Sequence, residues 1–274
     1  MCGKLYVVGT PIGNLGDLSP RAVETLNSVD FIAAEDTRVT LKLLNHFDIK
    51  KPLVSYYEHN KRYSGQHIVD RIISGENCAV VTDAGMPCIS DPGIDLVSSC
   101  RERGVEIYSV PGPSAVVTAA AMSGFDVTRF TFEGFLSVNK PSRIEHLEDV
   151  SDEKRTMIFY EAPHKLLKTL EDMRKYFGNR KIAVIKELTK IHENVWVTDF
   201  DSAIKKYSSQ SPKGEFVLVI EGKKEAAKKY SMDDAVLAAK KYLSSGYSMS
   251  EAAKLASRDT GIKKNDIYSK LISD

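Results

Sequence analysis

Short, uniformly apolar runs alternate with helical patterns through the first 110 residues, and this alternation limits the fold more than any other feature. Leu5–Val8, Asp30–Ala34, Ala79–Thr82 and Val105–Val110 read as strands. Between them, helical patterns open at Ser19-Pro20, lie near Leu41–Phe47 and His67–Ser74, and resume near Pro92 until Gly104. Strands without a polar face must be covered on both sides, and strands joined through helices run parallel. The expectation is an open α/β sheet whose ligands sit beyond the carboxyl ends of its strands.

After Pro111-Gly112-Pro113 the pattern changes. A helix is expected over Ser114–Met122, followed by a strand at Phe130–Phe135 and an exposed loop with a short helix over Ser137–Arg155. Further strands are expected at Thr156–Tyr160, Ile182–Lys186, Val195–Thr198 and Phe216–Glu221, with helices over Leu166–Lys175 and Ser202–Tyr207. Strands in succession imply a mixed sheet. Beyond Gly222-Lys223-Lys224 only helical patterns remain. The 274 residues therefore divide into an α/β domain over 1–111, a second α/β domain over 112–223 and a helical appendage over 224–274.

Composition narrows the class. With 42% hydrophobic and 27% charged residues, the chain has the balance of a soluble globular protein. The longest apolar runs, such as Ala115–Met122, are too short for a bilayer, and the start shows no apolar targeting core. The four cysteines form no CxxC pair and, with six histidines, no zinc spacing, so reduced thiols, no metal and a cytoplasmic setting are expected. The net charge of +1 conceals an asymmetry, because Gly222–Asp274 holds 11 Lys and Arg against 7 Asp and Glu. A basic tail fits an anionic partner, and equally a solvated helical face.

Four loops follow predicted strands. Gly9-Thr10-Pro11-Ile12-Gly13-Asn14-Leu15-Gly16 is neither a Walker loop nor a dinucleotide fingerprint, but its glycines permit close backbone approach. Glu35-Asp36-Thr37-Arg38 fits a ribose-reading carboxylate or a local ion pair. Asp83–Gly93 carries two acids close to its ends, two prolines and two glycines, stiffer than a linker requires. Pro111-Gly112-Pro113-Ser114-Ala115 precedes a helix whose first amides could hold a carboxylate or phosphate. In the second half, Phe132–Leu136, Phe159–Lys165 and Lys186–Glu193 place carboxylates at strand ends. His164 and His192 lack any triad partner that sequence reveals. Ser248–Leu271 reads as two short helices joined at Gly261-Ile262, which fits a helix-turn-helix-like unit or a plain helical hairpin.

In order, the segments Gly9–Asp17, Ala34–Arg38, Asp83–Gly93, Pro111–Ala115, Phe132–Leu136, Phe159–Glu161 and Glu187–Lys190 resemble one bacterial family. It is the small-subunit (16S) ribosomal RNA 2′-O-ribose cytidine methyltransferases, a branch of the tetrapyrrole-methylase-like enzymes that use S-adenosylmethionine. The likeness spans residues 4–222, and the C-terminal segment resembles the family's appended domain. It implies a two-domain class III methyltransferase fold with a small helical C-terminal segment. It further implies a donor held between the domains, a homodimer, and ribosomal RNA or the assembled 30S subunit as partner. By position, Pro11, Ile12, Asp83, Gly85, Met86, Pro87, Ile89, Ser114, Ala115, Phe135, Leu136 and Tyr160 would bind the donor. Asn14, Lys186, Lys190, Lys263 and Lys264 would face RNA. Two departures stand out: Gly85-Met86-Pro87 replaces the Gly-Asp-Pro of many tetrapyrrole methylases, and Lys186 stands where relatives commonly have Arg.

Methyl transfer needs in-line approach of an oxygen to the sulfonium methyl, so positioning supplies much of the rate. The weakly acidic ribose hydroxyl calls for a base. Glu35 or Asp36 is expected to accept its proton, with Arg38 orienting a phosphate and Glu187 as the competing base. Three other readings are a nicotinamide-dependent oxidoreductase, a methyltransferase of a porphyrin-like molecule and a non-catalytic nucleic-acid regulator.

Overall fold

The computed structural model describes residues 2–58, 60–224 and 230–273, with backbone alone for Lys61 and Arg62. Its residues form two compact units, Met1–Lys223 and Lys224–Asp274.

The first unit opens with β1 (Lys4–Val8), α1 (Pro20–Ser28), β2 (Phe31–Ala34), α2 (Thr37–His46), β3 (Leu53–Ser55), α3 (Lys61–Ile73), β4 (Cys78–Val81), α4 (Ile94–Glu102) and β5 (Glu106–Val110). The five strands form a parallel sheet in the order β3-β2-β4-β1-β5. Side chains alternate across a strand, and β2 and β4 divide accordingly. Phe31, Ala33, Cys78 and Val80 pack with Ile68 and Ile72 of α3 and Leu96 and Cys100 of α4. Ile32, Ala34, Ala79 and Val81 pack on the other face with Ala22 and Leu26 of α1 and Leu44 of α2. Both faces are thus covered, as the uniformly apolar strands require. The start of α1 follows from Ser19-Pro20: the Ser19 hydroxyl accepts from the Ala22 amide at 3.1 Å and Pro20 occupies the first turn.

Next come α5 (Ala115–Met122), β6 (Phe130–Phe135), α6 (Lys140–Asp149), β7 (Thr156–Glu161), α7 (Leu166–Phe177), β8 (Lys181–Lys186), β9 (Asn194–Asp199), α8 (Phe200–Ser209) and β10 (Phe216–Ile220). The second sheet has the order β6-β7-β10-β8-β9; only β6 and β7 are parallel to each other, so it is mixed. A bulge between Phe132 and Gly134 bends β6. One face packs on α7 and α8 through Leu166, Leu170, Met173, Phe200 and Ala203. The opposite face carries Ile158, Ile185, Val217 and Val219 and receives Val116 and Ala119 of α5 together with Ile12 from the loop after β1. Ile12 and α5 therefore bring the ends of the first sheet against the second.

The second unit contains α9 (Met232–Ser244), α10 (Met249–Thr260) and α11 (Lys264–Ser273). Ser231 with Asp234 and Ser248 with Glu251 form capping boxes at the starts of α9 and α10. Gly261, at φ 72°, ends α10 in a left-handed turn. Ala235, Ala239, Ala253 and Ala256 form the buried seam around Ile267, and these small side chains let the helices approach closely.

Candidate active site

The loops after β1, β4 and β5 meet beyond the carboxyl end of the first sheet. Thr10 and Gly85 exchange both backbone hydrogen bonds, at 3.0 and 3.1 Å, and the buried Thr10 hydroxyl donates to the Thr82 carbonyl at 3.0 Å. Gly9 and Gly112 pack backbone to backbone: a Cβ on Gly112 would lie 2.8 Å from Gly9 Cα. Gly85 takes φ 92°, which glycine permits without strain. These contacts fix three loops around one space.

That space is a cavity of about 320 Å³, bounded on the first-sheet side by Ile12, Gly85, Met86, Ile89, Asp91, Ser114 and Ala115. From the second sheet, Phe135, Tyr160, Glu161, Leu188, Glu215 and Val217 close it. Mostly apolar walls with a few polar groups are the usual lining of a small-molecule site. Phe135 and Phe132 meet the Tyr160 ring edge-on at 5.4 and 4.9 Å between centroids.

Carboxylates gather at one end. Thr82 donates its hydroxyl to Glu35 at 2.6 Å, and the Asp36 amide donates to Asp83 at 3.1 Å. Burial, then the negative charge of Glu35 and Asp83, pushes the Asp91 carboxyl up to about 6. Burial likewise raises Asp83, with Glu35 and Asp36 adding to it. Tyr160 is pushed up to about 12 by burial and by Asp91, despite a hydrogen bond from the Val116 backbone. Asp36 behaves oppositely. Its side chain caps α2 and grips the Arg38 guanidinium at 2.6 Å, which holds the carboxyl down at about 2. Among the described residues no group of three His, Cys, Asp or Glu is placed to hold a metal ion.

Comparison with known proteins adds a family to this geometry. Residues 4–204 match the Tetrapyrrole (Corrin/Porphyrin) Methylases. "Ribosomal RNA small subunit methyltransferase I" of Synechocystis sp. is 44% identical over 268 residues, covering 97% of this chain and 96% of that protein. The protein of that name from Bacillus subtilis is 43% identical over 271 residues, covering 97% and 93%. The chain belongs to this methyltransferase family. At the level of fold alone, the family's architecture recurs in a crystal structure of diphthine synthase, with TM-score 0.66, 13% identity and coverage of 82% of this chain and 92% of that one. It recurs also in uroporphyrin-III-C-methyltransferase from Thermus thermophilus, with TM-score 0.57, 17% identity and coverage of 80% and 94%.

For a member of this methyltransferase family, the expected residues sort clearly by position. Ile12, Gly85, Met86, Ile89, Ser114, Ala115, Phe135 and Tyr160 border the cavity. Pro11 and Pro87 are buried behind it, and Leu136 lies in the core beneath the second sheet with Leu147 and Met157. Asp83 stands beside the cavity on the Asp36 amide. None of Glu35, Asp36, Arg38 and Glu187 forms its wall. Glu187, at φ 53°, accepts from the Glu215 amide at 2.9 Å and from Lys190 at 3.1 Å. Those bonds, the amide of Glu215 foremost, hold its carboxyl below the usual range. Lys190 also pairs with Glu215 at 3.0 Å. Asn14 caps the short turn that follows it by accepting from the Gly16 amide, and Lys186 is half-buried at the end of β8. In the second unit Lys263 is exposed, while Lys264 donates to Ser250 at 2.9 Å. Sequence reasoning missed Asp91 and Glu161 as wall residues. Both fall in segments that it singled out, Asp83–Gly93 and Phe159–Lys165.

Proposed function

We propose that this chain transfers the methyl group of S-adenosylmethionine to the ribose 2′-oxygen of a cytidine in small-subunit ribosomal RNA, as a cytoplasmic homodimer acting on the RNA or the assembled 30S subunit. The observation that carries this reading is 43–44% identity over nearly the whole chain to relatives named for acting on that RNA. The cavity supports the donor assignment. Its apolar and aromatic walls suit an adenosyl group. When bound, the donor supplies an electrophilic methyl.

The residues take distinct parts. Ser114 and Ala115, at the start of α5, present backbone amides to the donor's carboxylate. Carbonyls near Gly85 and Ile89 face the positive charge. Ile12, Met86, Phe135 and Tyr160 form the walls, and Pro11, Pro87 and Leu136 brace them from behind. Asp83 and Glu35 hold the ends of β4 and β2 together. Arg38, whose side chain is 86% exposed, offers a guanidinium to a phosphate while Asp36 orients it. Glu187 and Lys190 brace the β8–β9 connection, and Asn14 and Lys186 border the face open to RNA. Lys263 and Lys264 in the second unit contact phosphates without reading sequence.

The test is to incubate the chain and labelled donor with small subunits from an unmethylated source, with the naked RNA, and with a porphyrin-like acceptor, then map the label. Label on a single cytidine ribose is expected. Label on the small molecule alone, or on none of the three, overturns the assignment.

A further inference from the structure

We propose that Asp91 accepts the proton of the acceptor's ribose hydroxyl, and that Thr82 and Glu35 position its carboxyl for that task. The inference rests on the methyl-transfer reading above and assigns the residue that removes the proton.

Three carboxylates border the cavity: Asp91, Glu161 and Glu215. Glu161 is buried and already engaged, accepting from the Thr169 hydroxyl and from the Ala162 amide at 2.8 Å. Glu215 points largely to solvent and is paired with Lys190. Asp91 has no cationic partner among the described residues. It faces the Thr82 hydroxyl, which donates to Glu35 at 2.6 Å. A hydroxyl has one hydrogen to give, so it can serve only one of two ionised carboxylates at a time. The second interacts well with that oxygen only by carrying a proton itself. Glu35, by its charge and by engaging the Thr82 hydrogen, favours a proton on Asp91, while the Thr82 hydroxyl works the other way and favours the ionised form.

The charged groups facing Asp91 act in one direction, against the Thr82 hydroxyl. Glu35 at the end of β2 and Asp83 at the end of β4 are negative. Cys88 in the same loop and Tyr160 on β7 are held neutral by burial and by Asp91 itself. A base that titrates close to neutrality is the most effective kind near neutral pH. In the step, the O2′–H bond breaks with its proton passing to Asp91 and the O2′–CH3 bond forms. The methyl–sulfur bond breaks with its electron pair returning to sulfur, which becomes a neutral thioether. Asp91 then releases the proton to solvent.

Single-turnover transfer to unmethylated small subunits, followed from about pH 5 to 9, tests the inference. Asp91→Asn is expected to slow transfer by about 10²–10⁴-fold and to abolish the acid limb of the profile. Its donor affinity by calorimetry should stay within about tenfold of wild type. Carboxyl-carbon NMR supplies a readout that needs no turnover. The Asp91 resonance, identified by its loss in Asp91→Asn, should titrate lower in Glu35→Gln and higher in Thr82→Val. An Asp91→Asn rate within about threefold of wild type, or an unchanged acid limb, overturns the assignment of the base. An Asp91 titration that moves in neither neighbour variant overturns the positioning. Failure of the wild-type chain to methylate RNA at any pH would instead overturn the activity reading and this inference with it.

Discussion

Gly112→Ala isolates the contact that holds the cleft together. Neither Gly9 nor Gly112 is among the glycines with positive φ, so alanine fits the local backbone and only space decides its effect. Its Cβ would lie 2.8 Å from both Cα and the carbonyl carbon of Gly9, where ordinary contact starts at 3.4 Å. The two loops must then separate by roughly 0.6 Å, and the obstacle is backbone, which cannot swing aside as a side chain can. Nor is the loop after β1 free to recoil. Gly9 donates to the Val110 carbonyl at 3.0 Å, and Thr10 is paired with Gly85. Overpacking of this kind costs about 1–3 kcal/mol, which lowers the melting temperature by roughly 2–12 °C in a unit of this size. Ser114 and Ala115 follow directly, so donor affinity should fall by about tenfold or more, equivalent to about 1.4 kcal/mol. Differential scanning and titration calorimetry measure both quantities. Gly104→Ala is the control: it imposes φ 71° on alanine with nothing within 4 Å, costing about 1–2 kcal/mol while leaving donor binding intact. Wild-type melting and donor affinity in Gly112→Ala would refute the close-approach argument.

Two further outcomes are expected. The Asp91 carboxyl titrates near 6 in the folded chain against about 3.9 unfolded, so between these values the folded state binds more protons and stability falls as pH rises. Asp91→Asn should therefore be more stable than wild type above about pH 6, by on the order of 1 kcal/mol once solvent screening of the half-exposed group is allowed for, with no difference below about pH 4. Equal melting temperatures at neutral pH would contradict this. In the second unit, Ser248→Ala removes the hydroxyl that accepts from the Glu251 amide, costing about 1 kcal/mol. Amide exchange in the first turn of α10 should then quicken by about fivefold, and unchanged exchange would show that the capping box does not limit opening there.

The parallel sheet was legible because β2 and β4 are buried on both faces and so carry no polar residue in their strands, Phe31–Ala34 and Cys78–Val81. β3 escaped because it is three residues long, Leu53–Ser55, and takes its place only by pairing with β2. The start of α2 was placed late, near Leu41. The helix begins four residues earlier, at Thr37, where Asp36 caps it through the Arg38 amide, a function that its carboxylate concealed by resembling a ligand group. Much of the cavity wall could be read from loop chemistry, since glycines and prolines beyond strand ends mark close approach. The division of labour among carboxylates could not. The partner of Glu187 is the amide of Glu215, 28 residues away, and the Thr82 hydroxyl reaches Glu35 only once β2 and β4 are side by side. Pairing across strands distinguishes a brace from a chemical group, and no local spacing encodes it.

The thioether at position 86 bears on the same division. Met86 borders the cavity, and its sulfur lies 2.7 Å from where a Cβ on Gly9 would be, so it seals the junction between the loops after β1 and β4. An acidic side chain at this point, as in the Gly-Asp-Pro of the porphyrin-directed branch, would stand on the same wall as Asp91 and close to Asp83. Each added negative charge would raise the pKa of its neighbours, and one more would push Asp91 up from about 6 and keep it protonated when a base is required. A flexible, polarizable side chain fills the junction without charge. Met86 therefore does more than distinguish this chain from relatives with other acceptors. By adding no charge to that wall, it leaves Asp91, among the described residues, as the cavity carboxylate free to exchange a proton.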